Sequence, residues 1–200
     1  MVFGIATFIT DMISRSGYFG LFFLMTGESA LLPIPSEIVL PFAGFLVFSG
    51  KITFFSAVLI AILGQLFGSI ISYFVGYYGG RRAVLKYGKY IHLKENRLEQ
   101  VEGWFRKYGS LAIFFTRLMP IIRTVISFPA GMAKMKFSKF LFYSALGIIP
   151  WTIIFVYFGY ILGESWQSII ATFDKFQLVV LIGIFALIGY WIWKVRNKNK

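Results

Sequence analysis

Four charged side chains stand inside apolar sequence: Glu28 and Glu37 around Pro33-Ile34-Pro35-Ser36, and Arg117 and Arg123 around Pro120. Each would cost about 2.5–3.5 kcal/mol at the middle of a membrane on an insertion scale, so four of them call for mutual pairing or a ligand. Arginine's planar fork suits phosphate bidentately. A carboxylate held away from water is a candidate for proton exchange. Two readings stay open on these residues alone: structural ion pairs that tie the segments together, or a transport site for an anionic phosphate group. On an unbroken helix, the six-residue step from Arg117 to Arg123 at about 100° per residue would send the guanidiniums to widely separated faces. Pro120 removes a backbone donor between them and breaks the helix, which lets the two converge. Pro129 follows, and then Ala130-Gly131.

Broken backbone at membrane depth survives only where it is buried in protein or lines a watery cavity. The rest of the chain supplies that setting. Of its 200 residues, 58% are hydrophobic, and the runs 52–80, 140–163 and 176–193 contain no Asp, Glu, Lys or Arg. Each is long enough, or nearly so, to cross about 30 Å of hydrocarbon. The net charge of +12 gathers in 81–107, 134–139 and 194–200, flanking the apolar runs. Positive-inside bias accounts for that placement, and no nucleic-acid partner is expected. With no cysteine and a single histidine, His92, in the basic loop, neither a metal site nor a cofactor nor a histidine-based triad is expected. Ser36 and Ser127 lie near the charged groups without a base placed to activate either, so hydrogen bonding at helix ends is their expected role and an enzyme is not expected. Trp151, Trp166, Trp191 and Trp193 read as interface anchors or core. The N-terminus lacks the basic n-region of a cleaved signal peptide.

Taken in order, residues 2–15 form an amphipathic helix too short and mixed to span, ended by Gly17. Residues 18–49 carry Pro33, Pro35 and Pro41, which argue against one straight spanning helix, whereas 52–80 reads as a transmembrane helix with Gly64, Gly68 and Gly76 for close packing. The basic loop 81–107 is cytoplasmic and holds a second amphipathic helix with Leu98, Val101, Phe105 and Tyr108 on one face. Lys107 and Lys134 both ask to be inside, so the run between them crosses an even number of times and is too short for two spans. It must dip in and return. By the same parity 18–49 is a hairpin from the opposite face, 140–163 crosses outward, and 176–193 returns. The predicted fold is all-α: one membrane domain, 1–200, with inverted-topology repeats over 1–80 and 94–163, each an amphipathic helix, a re-entrant hairpin and a transmembrane helix, followed by the C-terminal transmembrane helix 176–193. Pro33, Pro35, Pro120, Pro129, Gly44 and Gly131 are the residues expected to shape the hairpins.

Glu28 with Pro33-x-Pro35-Ser36-Glu37 and Ala43-Gly44, then Arg117-x-x-Pro120-x-x-Arg123 and Ala130-Gly131, resembles the DedA family, also called the SNARE-associated or VTT-domain family. Gly64-x-x-x-Gly68, Tyr73-x-x-Gly76 and Trp151…Gly159-Tyr160…Gly163 fit it too, over roughly residues 17–163. The resemblance implies opposed re-entrant hairpins and a role in moving lipids between leaflets, either undecaprenyl phosphate, the cell-wall carrier, or phospholipids such as phosphatidylethanolamine, with a link to protons. It places the family's essential acidic pair on Glu28 and Glu37 and its essential arginines on Arg117 and Arg123. Ser69 stands where many members have Asp after the second glycine, a departure that bears on proton coupling. The expected partners are a lipid with a phosphate headgroup, the surrounding membrane lipids and protons. Undecaprenyl phosphate is the favoured substrate, because two arginines match a phosphomonoester better than a zwitterion. A non-transport scaffold in envelope homeostasis is the rival.

The parity of charges is testable in a chain that has no native cysteine. Lys51→Cys and Asp174→Cys should react with an impermeant thiol reagent from outside the cell, and Lys89→Cys, Lys136→Cys and Lys198→Cys only from inside. External labelling at position 136 would mean that 110–133 spans the membrane.

Overall fold

The computed structural model of the protein describes residues 2–32, 34–80, 111–119 and 122–165. The basic loop 81–107 with His92, the segment 176–193, Pro33, Pro120, Trp166, Trp191 and Trp193 lie outside the described residues. Within them every regular element is helical. Helix α1 runs Val2–Ser16, α2 Tyr18–Ser29, α3 Ser36–Phe48 and α4 Phe54–Val75, which continues into a π-helical stretch, Gly76–Gly80. Three short helices follow in the second half, α5 Leu111–Arg117, α6 Ile122–Val125 and α7 Ser127–Met132, and then the long α8, Phe137–Leu162.

Local chemistry accounts for these lengths. Gly17, at φ +55°, separates α1 from α2, a left-handed conformation that glycine adopts without strain. Beyond α2, Leu31 turns left-handed at φ +74°, and Pro35 holds the extended conformation from which α3 starts at Ser36. The two prolines of that turn cannot supply helical donors, so the chain stops and restarts. In contrast α4 opens on Thr53, whose side chain accepts the Ser56 N–H, and meets no proline afterwards. With the π-helical stretch it extends over 27 residues, and α8 over 26. At about 1.5 Å per residue each exceeds the ~30 Å hydrocarbon core. Only 33% and 28% of their most apolar windows are buried inside the protein, and side chains such as Phe55, Phe67, Ile154 and Phe158 face outward. Outward-facing apolar surfaces of that length are what a helix solvated by lipid presents. α2 and α3, of 12 and 13 residues, are too short to cross alone.

The short helices pack across the two halves. α2 lies on α4 and α5 on α8, whereas α3 lies on α8 and α7 on α4 and its π-helical end. Glycines make these approaches. A Cβ at Gly44 would sit 2.0 Å from the carbonyl oxygen of Val156, and one at Gly159 would sit 1.9 Å from that of Pro41. The other seam matches it: a Cβ at Gly131 would be 2.0 Å from the Tyr73 carbonyl, and one at Gly76 would be 2.2 Å from that of Phe128. Gly44 and Gly131 thus lie within helices and act by close backbone approach. Ile13, Leu21, Met25, Leu40, Leu46 and Val156 belong to the main apolar core, on the side of the Gly44–Gly159 seam.

These seams set a stability test with its own control. Gly159→Ala should destabilise the protein by roughly 1–3 kcal/mol, the usual range for overpacking, seen as a lowered unfolding temperature in detergent. Gly79→Ala, at a glycine with nothing within 4 Å of the added carbon, should leave that temperature unchanged.

Candidate functional site

The break between α2 and α3 places Glu28 at the end of one helix and Ser36 and Glu37 at the start of the next. The second break, before α6, brings Arg123 against them. Its Nη2 donates to Glu28 Oε1 at 2.9 Å and to Glu37 Oε1 at 3.1 Å, and also to the Ser36 hydroxyl. Ser36 Oγ in turn donates to Glu28 Oε1 at 2.5 Å. Glu28, Ser36 and Arg123 are buried, whereas the Glu37 side chain keeps 31% of its surface exposed. The guanidinium lies 4.6 Å above the centroid of the Trp151 ring, a cation–π contact from α8.

Arg117 ends α5 and crosses α8 at Gly147, where an added Cβ would come within 2.4 Å of the arginine's own Cβ. Its Nη1 donates to the Arg123 carbonyl at 3.1 Å. Its Nη2 reaches hydroxyl oxygens of Ser69, Ser127 and Ser144 at 2.9, 2.7 and 3.3 Å. Among the described residues no carboxylate pairs with it. Both arginines therefore hold the structure with their Nη groups, while the Nε–H of each is buried without a partner, as is the indole N–H of Trp151. A water-sized cavity of about 10 Å³ is lined by Glu28, Gln65, Arg117, Arg123, Thr124 and Trp151. Gln65 also ties the long helices together through a 2.8 Å bond to the Thr152 hydroxyl.

All four charged residues singled out in the sequence meet here. Their pairing differs from two separate ion pairs: one arginine serves both carboxylates, and the other is held by hydroxyls. The roles of Ser36 and Ser127 also need correcting. Among the described residues, Ser36 bridges Glu28 and Arg123, and Ser127 accepts from Arg117, in place of bonds to backbone at a helix end. Glu28 is also within hydrogen-bonding reach of Ser36, so a carboxylate does stand beside that hydroxyl. Pro35 caps α3 and Pro129 lies inside α7. Sequence reasoning missed Gln65, Ser144, Thr152 and the contact of Trp151 with Arg123. One signal was available: Gln65, Ser69 and Ser72 recur at helical spacing in a run with no formal charge, a polar stripe that a lipid-facing helix would not carry.

The VTT domain model matches residues 34–161. The chain is 38% identical over 196 residues to undecaprenyl phosphate transporter A of Bacillus subtilis, covering 96% of this chain and 94% of that protein. It is 36% identical over 202 residues to an alkaline phosphatase-like protein of Lactococcus lactis subsp. lactis, covering 96% and 94%. A second undecaprenyl phosphate transporter A, from Staphylococcus aureus, is 29% identical over 196 residues, covering 96% and 97%. No solved structure matches.

Removing one partner of a buried ion pair leaves the other charge uncompensated, at a cost of about 3–5 kcal/mol. Arg123→Gln should therefore lower stability by that order, and Glu28→Gln combined with it should recover much of the loss. Denaturation of the purified variants in one detergent checks both; additive losses would mean that the two groups are not coupled.

Proposed function

This chain is a membrane protein of the VTT-domain, or DedA, family, and on that footing we propose that it translocates undecaprenyl phosphate across the cytoplasmic membrane. The observation that carries the reading is the convergence of Arg117 and Arg123 on one buried cavity, each with an unused Nε–H donor. Guanidinium donors of that kind match phosphate oxygens. The relatives named undecaprenyl phosphate transporter A support that lipid over a phospholipid such as phosphatidylethanolamine. A cavity of about 10 Å³ is too small for a phosphate group, so the headgroup enters only when the helices around it separate. In this account a phosphate reaching Arg123 competes with Glu28 and Glu37. Protonation of the displaced carboxylate removes its repulsion of the incoming anion, and transport is thereby coupled to protons.

The topology belongs to the same proposal. α2–α3 and α5–α7 act as opposed re-entrant hairpins of two inverted repeats, with the basic loop 81–107 and the C-terminus cytoplasmic. The matching glycine seams, Gly44 on Gly159 and Gly131 on Gly76, support that repeat. Inverted repeats with broken helices at mid-membrane suit a binding site at the repeat interface. A hydrolytic reading has one observation in its favour, the Ser36–Glu28 hydrogen bond, together with the name of the Lactococcus relative. That carboxylate also carries the ion pair with Arg123, so it stands here as a counter-ion rather than a free base.

Leaflet exchange of undecaprenyl phosphate in liposomes tests the reading. Arg117→Lys and Arg123→Lys keep the charge but lose the planar fork, and loss of one charge-assisted bond weakens headgroup binding by roughly tenfold to a hundredfold. Exchange should fall accordingly in stably inserted variants, and the swap of Glu28→Arg with Arg123→Glu should not restore it. Full activity in both lysine variants would overturn the phosphate assignment, and release of the free polyprenol would favour the hydrolytic reading. A second outcome concerns protons: wild-type exchange should slow when the proton gradient collapses, and Glu28→Gln should lose that dependence. Exchange indifferent to the gradient would leave a passive scramblase.

A further inference from the structure

Trp151 sits inside α8, in an apolar run where a tryptophan would ordinarily be an anchor or a core filler. Its surroundings give it more to do. One face of the ring carries the Arg123 guanidinium at 4.6 Å. Its indole N–H is buried and has no acceptor, although a buried tryptophan N–H normally finds one. Leaving such a donor unsatisfied is unfavourable, so its persistence beside a functional group asks for an explanation. Two more N–H groups share the condition, the Nε–H of Arg117 and of Arg123, and all three residues line the same cavity. Both arginines are nearly inaccessible, at 3% and 4% exposure. Three orphan donors thus belong to residues that line one space, and an acceptor-rich group there would satisfy them.

We propose that Trp151 contacts the substrate directly, its indole N–H donating to an oxygen of the lipid phosphate while its ring face holds Arg123 in place. The assignment rests on the transport reading above and adds to it a third donor, neutral and carried by a long helix rather than by a broken hairpin. The division of labour follows from the chemistry. The arginines supply charge, which any anion rewards, whereas the indole N–H is directional and rewards only an oxygen lying in its plane. A lipid whose phosphate oxygens are masked or remote from that plane gains from the arginines and not from the tryptophan. Trp151 would therefore sharpen the preference for a phosphate monoester, with three terminal oxygens, over a phosphodiester.

The test uses the full-length protein in detergent and three probes: a short-chain polyprenyl monophosphate, the matching polyprenol, and inorganic phosphate as competitor. Trp151→Phe removes the N–H and weakens the ring contact with Arg123. Replacing Trp151 by benzothienylalanine, in which sulfur takes the place of the N–H, keeps the bicyclic ring and its packing, so it isolates the hydrogen bond even where the phenylalanine variant folds poorly. Both should bind the monophosphate roughly tenfold more weakly than wild type, and bind the polyprenol as wild type does. Monophosphate binding by the benzothienylalanine protein equal to wild type would overturn the role of Trp151 while leaving the transport reading intact. Wild-type protein that does not distinguish monophosphate from polyprenol would overturn both. Inorganic phosphate that competes as well as the lipid would assign the donors to free phosphate and overturn the lipid assignment.

Discussion

A charge buried in an apolar medium must be matched where it sits, and in this protein that matching holds the middle of the molecule together. Arg123 satisfies Glu28, Glu37 and Ser36 through a single nitrogen, joining the ends of α2 and α3 to α6. Its backbone carbonyl accepts from Arg117, which in turn gathers hydroxyls from α4, α7 and α8. Every described element that reaches the centre is thus tied to one of two guanidiniums. A network of this kind is strong only while every member is present, because the desolvation of each charge is offset by its partners alone. In the proposed transport cycle it is the latch that an anion opens, since a phosphate offers the same arginines an equivalent set of acceptors.

The glycine seams hold the short helices on the long helices around this network. α3 and α7 each lean on the long helix of the other half, and backbone touches backbone at Gly44–Gly159 and at Gly131–Gly76. Such contacts leave little free space and no side chains to rearrange, so each pair packs as a tight unit. The charged residues lie away from these seams, at the ends of α2 and α5 and the starts of α3 and α6.

Much of this was legible in the residues. The uncharged runs 52–80 and 140–163 foretold the two long apolar helices, Pro35 the restart at α3, and isolated charges in apolar sequence pointed to Glu28, Glu37, Arg117 and Arg123. Ala43-Gly44 and Ala130-Gly131 could be matched as repeats before their shared use as packing seams was apparent. What could not be read was partnership. Four charges admit several pairings of similar sign balance, and nothing in their spacing says that Arg123 takes both carboxylates while Arg117 takes three serines. Ser69 illustrates the difficulty: in sequence it is a small residue in place of an expected acid, and in the structure it is a neutral acceptor for Arg117. Trp151 was equally opaque, because a tryptophan in an apolar helix has the same signature whether it faces lipid, fills a core or covers a guanidinium.

The most direct measurement is the structure of the protein with a polyprenyl monophosphate bound. The expected result is a phosphate lying between Arg117 and Arg123, close to both Nε–H groups, with Glu28 separated from Arg123 and the hairpins displaced from each other. A lipid seated elsewhere, with Arg123 still bonded to Glu28, Glu37 and Ser36 as it is here, would contradict the account and return the four charges to a structural role.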